Sequence, residues 1–126
     1  MQYVKHITRA LLQQHPDTLF VFGDNMAEKG LGGQAKEMRG EPNAVGIPTK
    51  NYPGMNDFDF FNDGDFNRAK IKIDAAVLKL FLHASDGGNI VWPEDGIGTG
   101  LADLKKNSPK IWELIEKYRL ALERLA

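Results

Sequence analysis

At 126 residues and 42% hydrophobic composition, the chain has apolar material for one core and too little for two, so a single domain over 1–126 is expected. A formal net charge of −1 excludes a global basic field of the kind that holds nucleic acid by its phosphates, and affinity must come from a local site. Cysteine is absent, no run approaches membrane-spanning length and Met1-Gln2-Tyr3-Val4-Lys5-His6 lacks an apolar signal region, which points to a cytoplasmic protein with no membrane partner.

Apolar runs of strand length alternate with segments of helical period. Met1 to Ile7 reads as an edge strand and Thr8 to Gln14 as a short helix. Thr18-Leu19-Phe20-Val21-Phe22 is β-branched and aromatic, ends at Gly23-Asp24-Asn25, and reads as a strand buried on both faces. Lys29-Gly30-Leu31-Gly32-Gly33 follows, then Gln34 to Arg39, a short helical stretch that Gly40 can terminate. Asn43-Ala44-Val45-Gly46-Ile47 is a second strand, stopped by Pro48. From Arg68, the residues Ile73, Val77, Leu80, Phe81 and Ala84 recur at helical spacing until Asp86-Gly87-Gly88, which predicts a crossover helix. Ile90 to Trp92 is a third strand. Ser108 and Pro109 supply an N-cap and first-turn pair for a helix whose face is Ile111, Leu114, Ile115, Tyr118, Leu122 and Leu125. The alternation predicts an α/β layered fold.

The segment from Asn51 to Phe66 mixes acids, aromatics and turn formers without a period and reads as a long loop. Its Tyr52, Phe58, Phe60 and Phe61 either stack on a base or anchor the loop to the core. Asp59-Phe60-Phe61-Asn62-Asp63-Gly64-Asp65 lacks the alternating ligands and closing Glu of a calcium loop. His6, His15 and His83 have no metal-ligand spacing, so no metal and no cofactor are expected.

The most informative stretch is Gly96-Ile97-Gly98-Thr99-Gly100-Leu101-Ala102-Asp103, which follows the run Ile90-Val91-Trp92-Pro93. A strand that empties into a loop with glycine at alternate positions lets backbone N–H groups approach a ligand with no Cβ in the way, and such loops hold phosphates. A nucleotide-like ligand is expected. Asp24 and Asn25 read as an Asx turn, as a cap for the next helix or as ligand contacts, and Lys50 either as a solvated lysine or, if desolvated, as a nucleophile. Asp103 reads either as a cap or as an acid–base group.

Taken together, these residues resemble the macrodomain family of ADP-ribose-binding modules, in particular the branch containing terminal ADP-ribose protein glycohydrolase and the DNA ADP-ribosyl glycohydrolase antitoxins. Val21-Phe22-Gly23-Asp24-Asn25 with Gly30-Leu31-Gly32-Gly33-Gln34-Ala35 is similar to that branch's first ligand loop. Ile47-Pro48-Thr49-Lys50 resembles its second strand, and Trp92-Pro93 through Gly98-Thr99-Gly100-Leu101 its second phosphate loop. Ala102 stands here between Leu101 and the aspartate, and the family's Asn-Ala-Ala-Asn stretch is replaced by Gly23-Asp24-Asn25.

The resemblance implies a three-layer α/β/α sandwich with a mixed central sheet. It also implies an ADP-ribosyl glycohydrolase whose partner is ADP-ribose or an ADP-ribosylated protein or DNA. Lys50 and Asp103 are its implied catalytic pair, the lysine attacking the anomeric carbon or steadying charge and the aspartate moving protons or activating water. Gly23, Asp24, Asn25, Gly30, Gly32, Gly33, Gly96, Ile97, Gly98, Thr99, Gly100 and Leu101 are its implied ligand contacts. The alternative is a non-catalytic reader or sequestering protein for ADP-ribose or a related signalling nucleotide.

Overall fold

Side chains alternate across a strand, and in Leu19–Asn25 both sets are apolar. In the computed structural model, which describes residues 1–125, Leu19 and Val21 enter one hydrophobic cluster while Phe20 and Phe22 enter another. The same split divides Ile90 and Trp92 from Val91. A sheet buried on both faces results.

Four strands build it: β1 (Gln2–Val4), β2 (Leu19–Asn25), β3 (Ala44–Lys50) and β4 (Ile90–Pro93), in the order β1-β4-β2-β3. Helices α1 (Arg9–Gln14) and α2 (Ala35–Met38) cover one face through Leu12, Ala35 and Met38. Helices α3 (Phe66–Ser85), α4 (Leu104–Asn107) and α5 (Pro109–Leu125) cover the other through Ile73, Val77, Leu80, Leu104, Ile111 and Ile115. The fold is α/β in three layers. No described helix is long and apolar enough to cross a membrane.

The mixed sheet that the resemblance implied is not what forms. All strand pairings are parallel, with Tyr3 opposite Trp92, Phe20 opposite Val91 and Val21 opposite Val45. Each connection between strands passes through a helix, and a helical crossover returns the chain to the end from which it started. The antiparallel contact among the described residues is the isolated bridge between Lys50 and Phe60.

Two further expectations change. Pro48 does not stop β3, which runs on to Lys50. The strand lies at the sheet edge, where a missing N–H is tolerated, and the register with β2 shifts just beyond it, between Asp24 and Asn25. Leu125 is exposed rather than part of the buried face of α5.

The segment 51–66 is more ordered than its composition suggests. It holds two short 3₁₀ turns, Asp57–Asp59 and Asp63–Asp65, each closed by reciprocal capping between an Asn and the Asp three residues on: Asn56 with Asp59, and Asn62 with Asp65. Asp63 accepts from Ser108 Oγ at 2.8 Å and from the amide of Lys110, pinning the second turn to the start of α5. Asp59, Asp63 and Asp65 are thus engaged by amides and side chains of the segment itself, α3 and α5. Phe61 is fully buried among Ile73, Trp92 and Ile97 in the larger cluster, whereas Tyr52 and Phe58 meet edge to face on the surface, 6.5 Å between centroids.

Candidate functional site

Strand order decides where a ligand can sit. The chain leaves β2 for α2 on one face and leaves β4 for the helices on the other, although β2 and β4 are neighbours. Adjacent parallel strands whose connections diverge leave a crevice beyond their carboxyl ends, and ligands of open α/β sheets bind in such crevices. A cavity of about 320 Å³ opens there, within the range of about 300–1,000 Å³ usual for small-molecule sites.

Both glycine loops reach this cavity. Gly23, Asp24 and Asn25 end β2 at its wall, Gly30, Gly32 and Gly33 come from the first loop, and Gly96, Gly98, Thr99, Gly100 and Leu101 from the second. Lys50 reaches it from the end of β3. Two expected residues do not line it. Ile97 is buried in the core, where it anchors the second loop, and Asp103 is exposed beyond Leu101 and Ala102. A turn closed by the Asp103 amide on the Gly100 carbonyl, with Asp103 itself at φ +42°, ends the loop before that side chain. Tyr52, Phe58, Phe60 and Phe61 are also absent from the lining.

The loops keep their shape through side chains and carbonyls, which leaves their amides unspent. Thr99 Oγ1 donates to the Asp95 carbonyl at 2.6 Å, and the Leu104 amide donates to the Gly98 carbonyl at 2.9 Å. Asn25 staples the turn before the first loop: its Nδ2 donates to the Lys29 carbonyl at 2.8 Å and its Oδ1 accepts from the Lys29 amide. Among the described residues, the N–H groups of Gly30 to Gly33 and of Ile97 to Leu101 donate to no protein acceptor. Gly30 to Gly33 and Thr99 to Leu101 are exposed, so these donors face solvent around the mouth of one cavity, where an oxygen-rich anion can take the place of water. Gly98 at φ +78° is obligatory as well as convenient, since a Cβ there would lie 2.9 Å from Leu104 Cβ.

Charge in the cavity favours the same partner. Asp24 is neutralised by Arg39, whose Nη2 and Nη1 donate to its two carboxylate oxygens at 2.6 and 3.1 Å. Lys5 and Lys29 also line the cavity and form no ion pair among the described residues, against Asp95 alone. Gln34 Oε1 is buried beside the site and accepts no hydrogen bond among the described residues.

Lys50 is buried, and its amine is occupied. Nζ donates to the Gly54 carbonyl and lies 4.5 Å from the Phe60 ring centroid. The lysine is neither the solvated residue of the plain reading nor an unengaged nucleophile.

Arg39, Lys5, Lys29, Gln34, Thr49 and Asp95 were not legible as site residues. Arg39 and Thr49 look like ordinary helix-end and strand residues, and nothing in their spacing announces that folding brings them to Asp24. A second hollow, about 370 Å³ along the exposed edge of β3 between Gly46 and Lys72, includes neither glycine loop.

A model of a family of unknown function, DUF7831, matches residues 2–118. The chain belongs to that family. The matched span contains all four strands, both glycine loops, Lys50 and Arg39, so the whole cavity lies within the DUF7831 domain. Comparison with curated proteins and with solved structures finds no match.

Proposed function

We propose that this cavity binds ADP-ribose, and that the four-stranded sheet is the centre of a macrodomain-like fold. The observation that carries the reading is the set of unspent amides in two glycine loops that line one switch-point cavity. A diphosphate offers acceptors to both loops at once, and charge-assisted bonds of this kind contribute roughly 1.5–3 kcal/mol each. Lys5 and Lys29 add a positive surplus.

Capture is the activity that the arrangement serves directly. Lys50 Nζ is held by Gly54 and Phe60, and Asp103 stands outside the cavity. Removal of ADP-ribose from protein or DNA is the second reading, favoured by one observation: Lys50 is buried in the cavity wall rather than free in solvent. For that reaction the amine must leave Gly54 before it can reach the distal ribose.

Calorimetry and thermal melting with ADP-ribose test the binding. Ligand at about 100 times its Kd should stabilise the native state by roughly 2.7 kcal/mol, and AMP, lacking the second phosphate and distal ribose, should do less. No heat and an unchanged melting temperature at millimolar ADP-ribose would reject the site. Release of ADP-ribose from modified protein or modified DNA by the wild type would decide for the hydrolase over the reader.

A further inference from the structure

Arg39 belongs to no motif, yet it makes more polar contacts to the first glycine loop and its supporting strand than any residue of the loop itself. It ends α2, and its guanidinium lies 5.7 Å from the centroid of Phe22. Nε donates to the Gly30 carbonyl at 2.8 Å, Nη2 donates to the Lys29 carbonyl at 3.2 Å, and the two Nη atoms grip Asp24. A guanidinium carries five donors in a fixed plane, and four of them are used here. The fork therefore fixes three things relative to one another: the end of β2, the two carbonyls that open the loop, and the start of the return to β3.

Two physical consequences follow. Turning the carbonyls of Lys29 and Gly30 toward Arg39 leaves the amides of the following residues free of those acceptors, which is the condition for a loop that donates to an anion. Pairing with Asp24 also removes a carboxylate charge from a cavity wall where an anionic ligand would otherwise meet repulsion. Lysine cannot substitute, because one ammonium on a flexible stem does not span a carboxylate and two carbonyls in a plane.

We propose that Arg39 is a positioning residue, which holds the first glycine loop in its ligand-ready shape and screens Asp24 from an anionic ligand. The ligand part rests on the reading of the cavity as an ADP-ribose site; the loop-ordering part does not.

The test compares wild type with Arg39→Lys, Arg39→Gln and Arg39→Gln/Asp24→Asn by amide ¹⁵N relaxation and by ADP-ribose titration. Relaxation order parameters of Gly30, Gly32 and Gly33 should fall from the rigid range, about 0.85, to below about 0.6 in both single variants, with β2 and β4 unchanged. Affinity should fall at least tenfold in Arg39→Gln, and adding Asp24→Asn should recover part of that loss, since the uncompensated carboxylate is gone. A merely structural arginine would give no such recovery. Arg39→Lys keeps the charge and guards against misfolding of the glutamine variant. Loop order parameters equal to wild type in Arg39→Lys would overturn the proposal. If wild type gives no binding heat, the ADP-ribose reading fails while the relaxation data still decide the role of Arg39.

Discussion

Lys50 and Phe60 meet twice: their backbones form an isolated antiparallel bridge, and the Lys50 ammonium rests 4.5 Å from the Phe60 ring centroid. With Nζ also bonded to the Gly54 carbonyl, the lysine closes the loop between them like a clasp. Removing a partly desolvated cation–π contact and a charged hydrogen bond should cost roughly 2–4 kcal/mol together. Lys50→Met, which keeps the apolar stem, is expected to lose about that much in urea denaturation. Loss of less than about 0.5 kcal/mol would show that the clasp contributes nothing. During any turnover on an ADP-ribosylated substrate, borohydride should trap an adduct on Lys50 only if the amine leaves the clasp.

The second glycine loop separates stability from binding. Gly98→Val places a Cβ 2.9 Å from Leu104 Cβ at φ +78°, and strain of this kind costs roughly 1–3 kcal/mol. Gly100 has no left-handed φ and nothing within 4 Å of an added Cβ, yet it lines the cavity. Gly100→Val should therefore melt within a degree or two of wild type while ADP-ribose affinity falls about tenfold, or ~1.4 kcal/mol. Equal affinity in a folded Gly100→Val protein would mean that the ligand does not approach this loop.

Asp103 is left-handed at φ +42°, a conformation that Asn and Asp tolerate and alanine does not. Asp103→Ala is expected to destabilise the fold by about 1 kcal/mol, and Asp103→Gly to leave it equal or better. Asp103→Asn isolates the carboxylate without touching the backbone. Because the side chain lies outside the cavity, that variant should bind ADP-ribose within about twofold of wild type. Glycohydrolase activity that survives in wild type and vanishes in Asp103→Asn would assign the residue a role in turnover that its place outside the cavity does not suggest.

Acid should destabilise the protein through a few identified carboxylates. Burial acts to raise the pKa of Asp65, but hydrogen bonds from the Asn62 amide, Arg68 and Asn51 outweigh it and hold the group below its ordinary value. Asp74 behaves likewise, with burial opposed by Lys70 and Tyr118. A carboxyl depressed in the folded state contributes stability that is present above its unfolded pKa, about 3.9, and lost as pH falls through the folded value. The urea midpoint should thus drop between about pH 5 and about pH 2.5, and Asp65→Asn/Asp74→Asn should flatten that drop. A midpoint independent of pH over this range would contradict the assignment.

The chain alone determined the elements, because their signals are local. Two-sided apolar runs give β2 and β4, the 3.6-residue period gives α3 and α5, and glycines at alternate positions give loops with accessible amides. The resemblance grouped Gly23 to Asn25, the glycines of both loops and Lys50 as contacts of one ligand, and in the fold these residues line one cavity. Tertiary structure decided the rest. Only the order β1-β4-β2-β3 creates the switch point between β2 and β4, and strand order is set by long-range pairing rather than by any local pattern. Only packing sends Ile97 into the core and leaves Asp103 outside the lining, and only the meeting of α2 with β2 brings Arg39 to Asp24, fifteen residues away in the chain. Lys50 shows the division most plainly. Its place at a strand end is written in the sequence, whereas the Gly54 carbonyl and Phe60 ring that occupy its amine flank the capped turn Asp57–Asp59, whose position depends on the fold around it.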